Sequence, residues 1–166
     1  WLSTYANANG VFNYSDWGYE VLKQESNNII NCLGSAPPSA DAAYQPVENK
    51  LSHKENLGLD PDIKIIGTVM RNQRRKLFLD LFEAFRKFLD IYDGRDVFLY
   101  CHTSYPDLGW DIPKLINQYR LSGKVIFTYV CSECSHAFPS FFADARTKCP
   151  RCGRHDAGLS NVKNGV

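Results

Sequence analysis

No apolar stretch of this sequence reaches the ~20 residues that a bilayer-spanning helix requires, and the opening WLSTYANANG lacks the charged and apolar blocks of a secretory signal. The chain therefore reads as soluble and cytoplasmic. Charge of one sign is missing too: 19 Lys and Arg face 18 Asp and Glu, a formal net charge of +1. That balance supplies no long-range field to attract a polyanion, so no nucleic acid is expected as a partner. Also absent are a Walker loop, a G-x-G-x-x-G turn, a Ser-His-Asp arrangement, internal repeats and low-complexity tracts. No initiator Met precedes Trp1 and the chain stops at NVKNGV, which leads us to expect a fragment of a longer protein.

With 166 residues, the chain is long enough for one ordinary domain or for pieces of two. GVFNYSDWGYEVLKQE starts with a short apolar run, Val11 and Phe12, and then offers Ser15 or Asp16 as an N-cap before an amphipathic turn. Ile29 and Ile30 suggest a second short strand. Beyond Gly34 the chain turns rich in Pro, Ala and Ser, SAPPSADAAYQPVENK, where Pro37, Pro38 and Pro46 oppose regular pairing. We expect a linker there, then a short helix over 49–58 ending at Gly58.

From there the pattern is regular: strand DIKIIGTVM, helix RRKLFLDLFEAFRKFLDIY, strand DVFLYCH, helix WDIPKLINQYRLSG, strand KVIFTY. Leu77, Leu81, Ala84, Phe85 and Phe88 recur at helical spacing and predict the buried stripe of the long helix. Short apolar strands separated by helices predict an α/β fold with a parallel sheet covered on both faces.

Six cysteines are unevenly placed. Cys131, Cys134, Cys149 and Cys152 form C-x2-C-x14-C-x2-C, while Cys32 and Cys101 stand apart. Each C-x-x-C turn presents two thiolates to one ion, and two facing turns complete a tetrahedron. Zinc is the expected ion, with iron in a rubredoxin-like site as the alternative. Four cysteine ligands leave no position for water or substrate, so the site is expected to be structural. Metal binding in isolated zinc peptides contributes roughly 10–16 kcal/mol of apparent free energy, ample for a ribbon built on Phe138, Phe141 and Phe142. Arg146, Lys148, Arg151, Arg154 and His155 surround the knuckles, where cations offset the charge of four thiolates. His136 and His155 are expected to be outer groups rather than ligands, and Cys101, ending an apolar strand, to be inert core.

GTVMRNQRRK sits where the first strand of the regular region gives way to its helix. Ligands collect at the carboxyl ends of strands in open α/β sheets, and a helix start offers free N–H groups to an anion. Arg71, Arg74, Arg75 and Lys76 crowd that position against the helix dipole, which points to a bound phosphate. His102, after the next strand, lies at a carboxyl end as well; Asp107, Trp110 and Asp111 follow in a loop where capping and packing account for them.

Gly67-Thr-Val-Met-Arg71 followed by Lys76 resembles the G-x-x-x-R-x-x-x-x-K element that opens the C-terminal Rossmann domain of GT-B glycosyltransferases, particularly the retaining family-4 enzymes. SAPPSADAAYQPV is similar to their interdomain linker, with Asp41, Tyr44 and Pro46 in matching places and Ala40 near the usual glycine. GVFNYSDWGYEVL resembles the end of their N-terminal domain, and LSNVKNGV the approach to their donor-site half.

The resemblance implies a partial Rossmann-like (GT-B) sheet with an inserted rubredoxin-like zinc ribbon. It divides the chain into the end of an N-terminal domain (1–34), a linker and short helix (35–60), the first half of a C-terminal Rossmann-like domain (61–129), the ribbon (130–155) and a return to that domain (156–166). It further implies a nucleotide-sugar donor whose diphosphate is bound by Arg71 and Lys76, with Gly67, Arg75 and His102 as donor-site neighbours. The acceptor, a glycan, lipid or protein, is not specified. No catalytic acid or base is implied within the chain, and the fragment alone is expected to be inactive. The competing expectation is a non-enzymatic zinc-ribbon module that binds nucleic acid or protein.

Overall fold

In the computed structural model, residues 2–92, 95–142 and 147–159 are described. They form two compact units, Trp1–Pro46 and Val47–Val166, so the division falls inside the Pro-rich stretch.

The first unit contains α1 (Leu2–Ala6), β1 (Val11–Asn13), α2 (Asp16–Glu25) and β2 (Cys32–Ser35). Strands β1 and β2 run parallel, with Val11 opposite Cys32 and Asn13 opposite Ser35. Ser15 caps α2, its hydroxyl accepting from the Gly18 N–H at 3.1 Å. The second strand begins at Cys32 rather than at Ile29. Asn27 and Asn28 adopt positive φ angles of 50° and 60°, and the Cys32 N–H bonds back to the Ile30 carbonyl, so the chain is still turning there.

The second unit opens with α3 (Lys50–Asn56), capped by Asn49, whose side chain accepts from the Ser52 N–H. Gly58, at φ +73°, closes it in a conformation that costs a residue without Cβ little. Then come β3 (Lys64–Val69), a 3-10 turn (Arg74–Lys76), α4 (Phe78–Ile91), β4 (Val97–His102), α5 (Ile112–Gln118) and β5 (Val125–Cys131). β6 (Ala137–Phe141), β7 (Thr147–Lys148) and β8 (His155–Leu159) complete the described elements. The architecture is mixed α/β.

The long helix starts later than its sequence pattern predicts. Leu77 takes a left-handed conformation (φ 51°, ψ 44°) that separates the Arg74–Lys76 turn from α4. Leu77 is 55% exposed and Phe88 38%, whereas Phe78, Phe82 and Phe85 are buried. Phe85 of the expected stripe is thus in the core and Leu81 packs against it, while Leu77 and Phe88 give way to Phe78 and Phe82, whose rings bury large apolar areas.

β3, β4 and β5 are parallel neighbours in that order. Along β4 alternate residues Val97, Leu99 and Cys101 are buried beneath the helices, and Phe98, Tyr100 and His102 on the opposite face are only half-buried. That second face is covered in part: Leu57 and Leu59, beyond α3, line a cavity of about 230 Å³ with Ile65, Tyr100, Thr128 and Phe138.

β5 is longer than its apolar run predicts, because it continues to Cys131. β6 takes one edge of β5 along Ile126–Val130 in antiparallel register. A strand has two edges, so the other is shared in succession: β4 pairs with Leu99 opposite Val125, and β8 pairs farther along with Ala157 opposite Cys131. One strand therefore carries the parallel sheet directly into the cysteine ribbon. Residues 157–159 pair antiparallel with Tyr129–Cys131 of β5, and Ala157 also pairs with Thr147 of β7. Residues 160–166 and Arg146 lie outside the described residues.

Candidate metal centre and basic rim

The four cysteines converge from two turns of the same design. In the first, the Cys131 N–H donates to the His136 carbonyl at 3.0 Å and the Ser135 N–H to the Cys131 carbonyl at 2.9 Å. In the second, the Cys149 N–H donates to the Arg154 carbonyl at 2.8 Å and the Gly153 N–H to the Cys149 carbonyl at 2.9 Å. Each turn places its fifth residue at positive φ, Ser135 at 55° and Gly153 at 75°, so the chain doubles back around the sulfurs.

All four Sγ atoms lie within 4.8 Å of one another. Cys131 and Cys152 are 3.6 Å apart and Cys134 and Cys149 are 3.7 Å apart. A metal–sulfur bond of ~2.3 Å gives a tetrahedral edge of ~3.8 Å, so the donors fit a single tetrahedral ion. Burial alone would raise the Cys149 thiol, but the N–H groups of Cys152 and Arg151 and the neighbouring sulfurs bring it down to about 7. The Arg154 N–H favours the Cys152 thiolate, yet desolvation and the other three sulfurs hold it up at about 11. Four thiols this close cannot all ionise unless a cation compensates them.

The centre is part of the main core. Cys131 is 1% exposed and Cys149 is fully buried, and both pack in the cluster that contains Phe82, Leu99 and Phe127. Outside it, Arg154 pairs with Glu133 at 3.2 Å, joining one knuckle to the other. His136 lies against the Phe138 ring and His155 sits in β8 opposite Lys148; neither belongs to the ligand cluster.

A second cluster forms at the carboxyl ends of β3 and β4. Val69 pairs with His102 in the parallel register, and the Met70 N–H donates to the His102 carbonyl at 3.2 Å. His102 Nδ1 and Thr128 Oγ1 are 2.7 Å apart, and Tyr100 Oη lies 2.5 Å from the same hydroxyl. Gly67 stands within β3 opposite Tyr100, and a Cβ built there would meet nothing within 4 Å.

Arg71 is joined to Asp107 by two hydrogen bonds, Nε to Oδ2 at 2.9 Å and Nη2 to Oδ1 at 3.2 Å. The Asp107 side chain is fully buried, while that of Arg71 is 37% exposed. Asp107 also accepts from the Ser104 hydroxyl and the Leu108 N–H, each at 2.8 Å. The guanidinium first, and then the Leu108 N–H, hold the carboxyl well below the usual range.

Buried Asn72 fastens the same two loops together. Its amide donates to the Trp110 carbonyl at 2.9 Å and accepts from the Trp110 N–H at 2.8 Å. The Trp110 indole N–H donates to the Arg74 carbonyl at 3.3 Å, and Asp111 caps α5 through the Lys114 N–H. Arg74 and Arg75 are exposed and Lys76 is half-buried. Sequence reasoning noted both Arg71 and Asp107 but did not pair them, and it did not single out Asn72. Partners 36 and 38 residues away along the chain carry no local signature.

No family model matches the chain, and no curated protein or solved structure matches it at significance. No helix among the described residues is long and apolar enough to cross a membrane.

Proposed function

We propose that the chain is part of a glycosyltransferase of the GT-B type, resembling family 4, that uses a nucleotide-sugar donor. In this reading β3, β4 and β5 begin a Rossmann-like sheet, and the turn after β3 receives the donor diphosphate. The observation that carries it is the clamped basic loop Arg71–Lys76 at the carboxyl rim of parallel strands, where anionic ligands of such sheets collect. Arg71 and Lys76 would stabilise the negative charge that grows on the departing diphosphate. Neither acts as an acid or base. Arg75 and His102 flank this site, and Gly67 leaves open space above the strand.

The thiolate centre holds zinc in this reading and serves structure, because sulfur donors fill all four positions. Four reduced thiols suit the cytoplasm. The acceptor, whether glycan, lipid or protein, is recognised by groups other than these.

Uridine and guanosine diphosphate are the probes. One of them is expected to protect amides around Arg71 and Lys76 from hydrogen exchange, and Arg71→Ala is expected to abolish that protection. Cys149→Ser should chiefly lower stability. Salt-sensitive oligonucleotide binding that vanishes when Arg151 and Arg154 are replaced, with no response to either nucleotide, would overturn the assignment in favour of a nucleic-acid-binding ribbon.

A further inference from the structure

We propose that Asp107 is a positioning residue for diphosphate binding: from beneath, its buried carboxylate holds the Arg71 guanidinium with an edge turned outward for the phosphates. The inference rests on the proposed donor-site reading and adds to it the residue that sets the geometry.

The burial difference orders the pair. Asp107 has no side-chain exposure and Arg71 retains 37%, so the carboxylate lies on the inner side of the guanidinium. A guanidinium carries five N–H donors in one plane. Asp107 engages Nε and one N–H of Nη2, which leaves the Nη1 pair and the other Nη2 hydrogen uncommitted to it.

The carboxylate is itself fixed. Ser104 and Leu108 hydrogen-bond it from its own loop, and that loop is fastened to the Arg71 loop by the reciprocal Asn72–Trp110 bonds. Gly109 completes the fit, since a Cβ there would stand 2.6 Å from the carbonyl carbon of Asn72. An arginine on a free loop loses side-chain entropy when it grips an anion; here that ordering is made in advance.

Two physical effects of Asp107 on an anion have opposite signs, and this makes the proposal testable. A carboxylate beside an anion site repels the ligand, so as a bystander its neutralisation strengthens binding. As a positioning group its neutralisation frees the guanidinium and weakens binding.

The measurement is calorimetric titration of the full chain with inorganic pyrophosphate, in low-salt buffer free of divalent ions. Wild type, Arg71→Ala, Asp107→Asn and Ser104→Ala are compared, with the folded state of each checked by circular dichroism. Asp107→Asn is expected to bind pyrophosphate about tenfold more weakly, the scale of one charge-assisted hydrogen bond. Ser104→Ala retains the carboxylate charge but loosens its placement, and is expected to weaken binding by a smaller factor. Equal or tighter binding by folded Asp107→Asn overturns the positioning role while leaving the donor-site reading intact. If Asp107→Asn does not fold, Ser104→Ala decides: weaker binding supports the role, and unchanged or tighter binding overturns it. Failure of wild type to bind pyrophosphate and both nucleoside diphosphates removes the donor-site reading, and this inference with it.

Discussion

Gly109 and Asn72 approach so closely that a Cβ on the glycine would stand 2.6 Å from both the carbonyl carbon and the carbonyl oxygen of Asn72, and nearer still to its Oδ1. Two loops that follow different strands are thereby pressed into one unit. Gly109→Ala must separate them, because two of the atoms in the way are backbone. It is expected to destabilise the protein by about 1–3 kcal/mol in urea unfolding. Asn72→Ala, which strands the Trp110 N–H and carbonyl, is expected to cost about 1–3 kcal/mol. The double variant should cost less than the sum, since the second change acts on an interface already opened.

Metal removal is expected to affect the parallel sheet as well as the ribbon. β5 ends at Cys131, and Cys131 and Cys149 pack with Leu99 and Phe127. One ion per chain should be found by elemental analysis, colourless if zinc and visibly absorbing if iron. Its removal by a strong chelator should lower the thermal midpoint and speed hydrogen exchange in β4 and β5. Exchange confined to 132–159 would show that the ribbon is energetically separate.

The Arg71–Asp107 pair should survive acidification. A carboxyl held below its ordinary value contributes stability that is fully present above the unfolded pKa of ~3.9 and disappears as pH falls through the lower folded value. The stability difference between wild type and Asp107→Asn is therefore expected to stay flat from neutral pH to about 4 and to shrink below it. Urea titrations across that range test this; a difference already shrinking near neutrality would contradict it.

Phe82→Ala tests the placement of α4. Phe82 is fully buried and meets Phe78 edge-on at 6.1 Å between ring centres. Its truncation should cost about 3–5 kcal/mol. Phe88→Ala, at a position 38% exposed, should cost clearly less. The reverse order would restore the stripe that helical spacing suggested.

Several features were legible from local chemistry. Two C-x-x-C turns announce a four-thiolate centre because the ligands and the turns that aim them lie within a few residues. Ser15, Gly58 and Asp111 act at helix ends, as their residue types predict. Alternation of apolar strands with amphipathic helices suffices for a mixed α/β unit, since each pattern can be buried in only one way.

Other features depended on contacts between distant parts of the chain. Leu77 and Phe88 on one side, and Phe78 and Phe82 on the other, share helical spacing with Phe85, and only packing against β4 and β5 chose between them. Only the pairing of β8 with both β5 and β7 joined the ribbon to the parallel sheet, and only packing placed Cys131 and Cys149 in the main core. Arg71 was recognisable as a cation at a strand end; its buried carboxylate came from a loop 36 residues away. Periodicity and caps are short-range and survive in the sequence, whereas ion pairs, strand order and burial exist only after the chain has closed on itself.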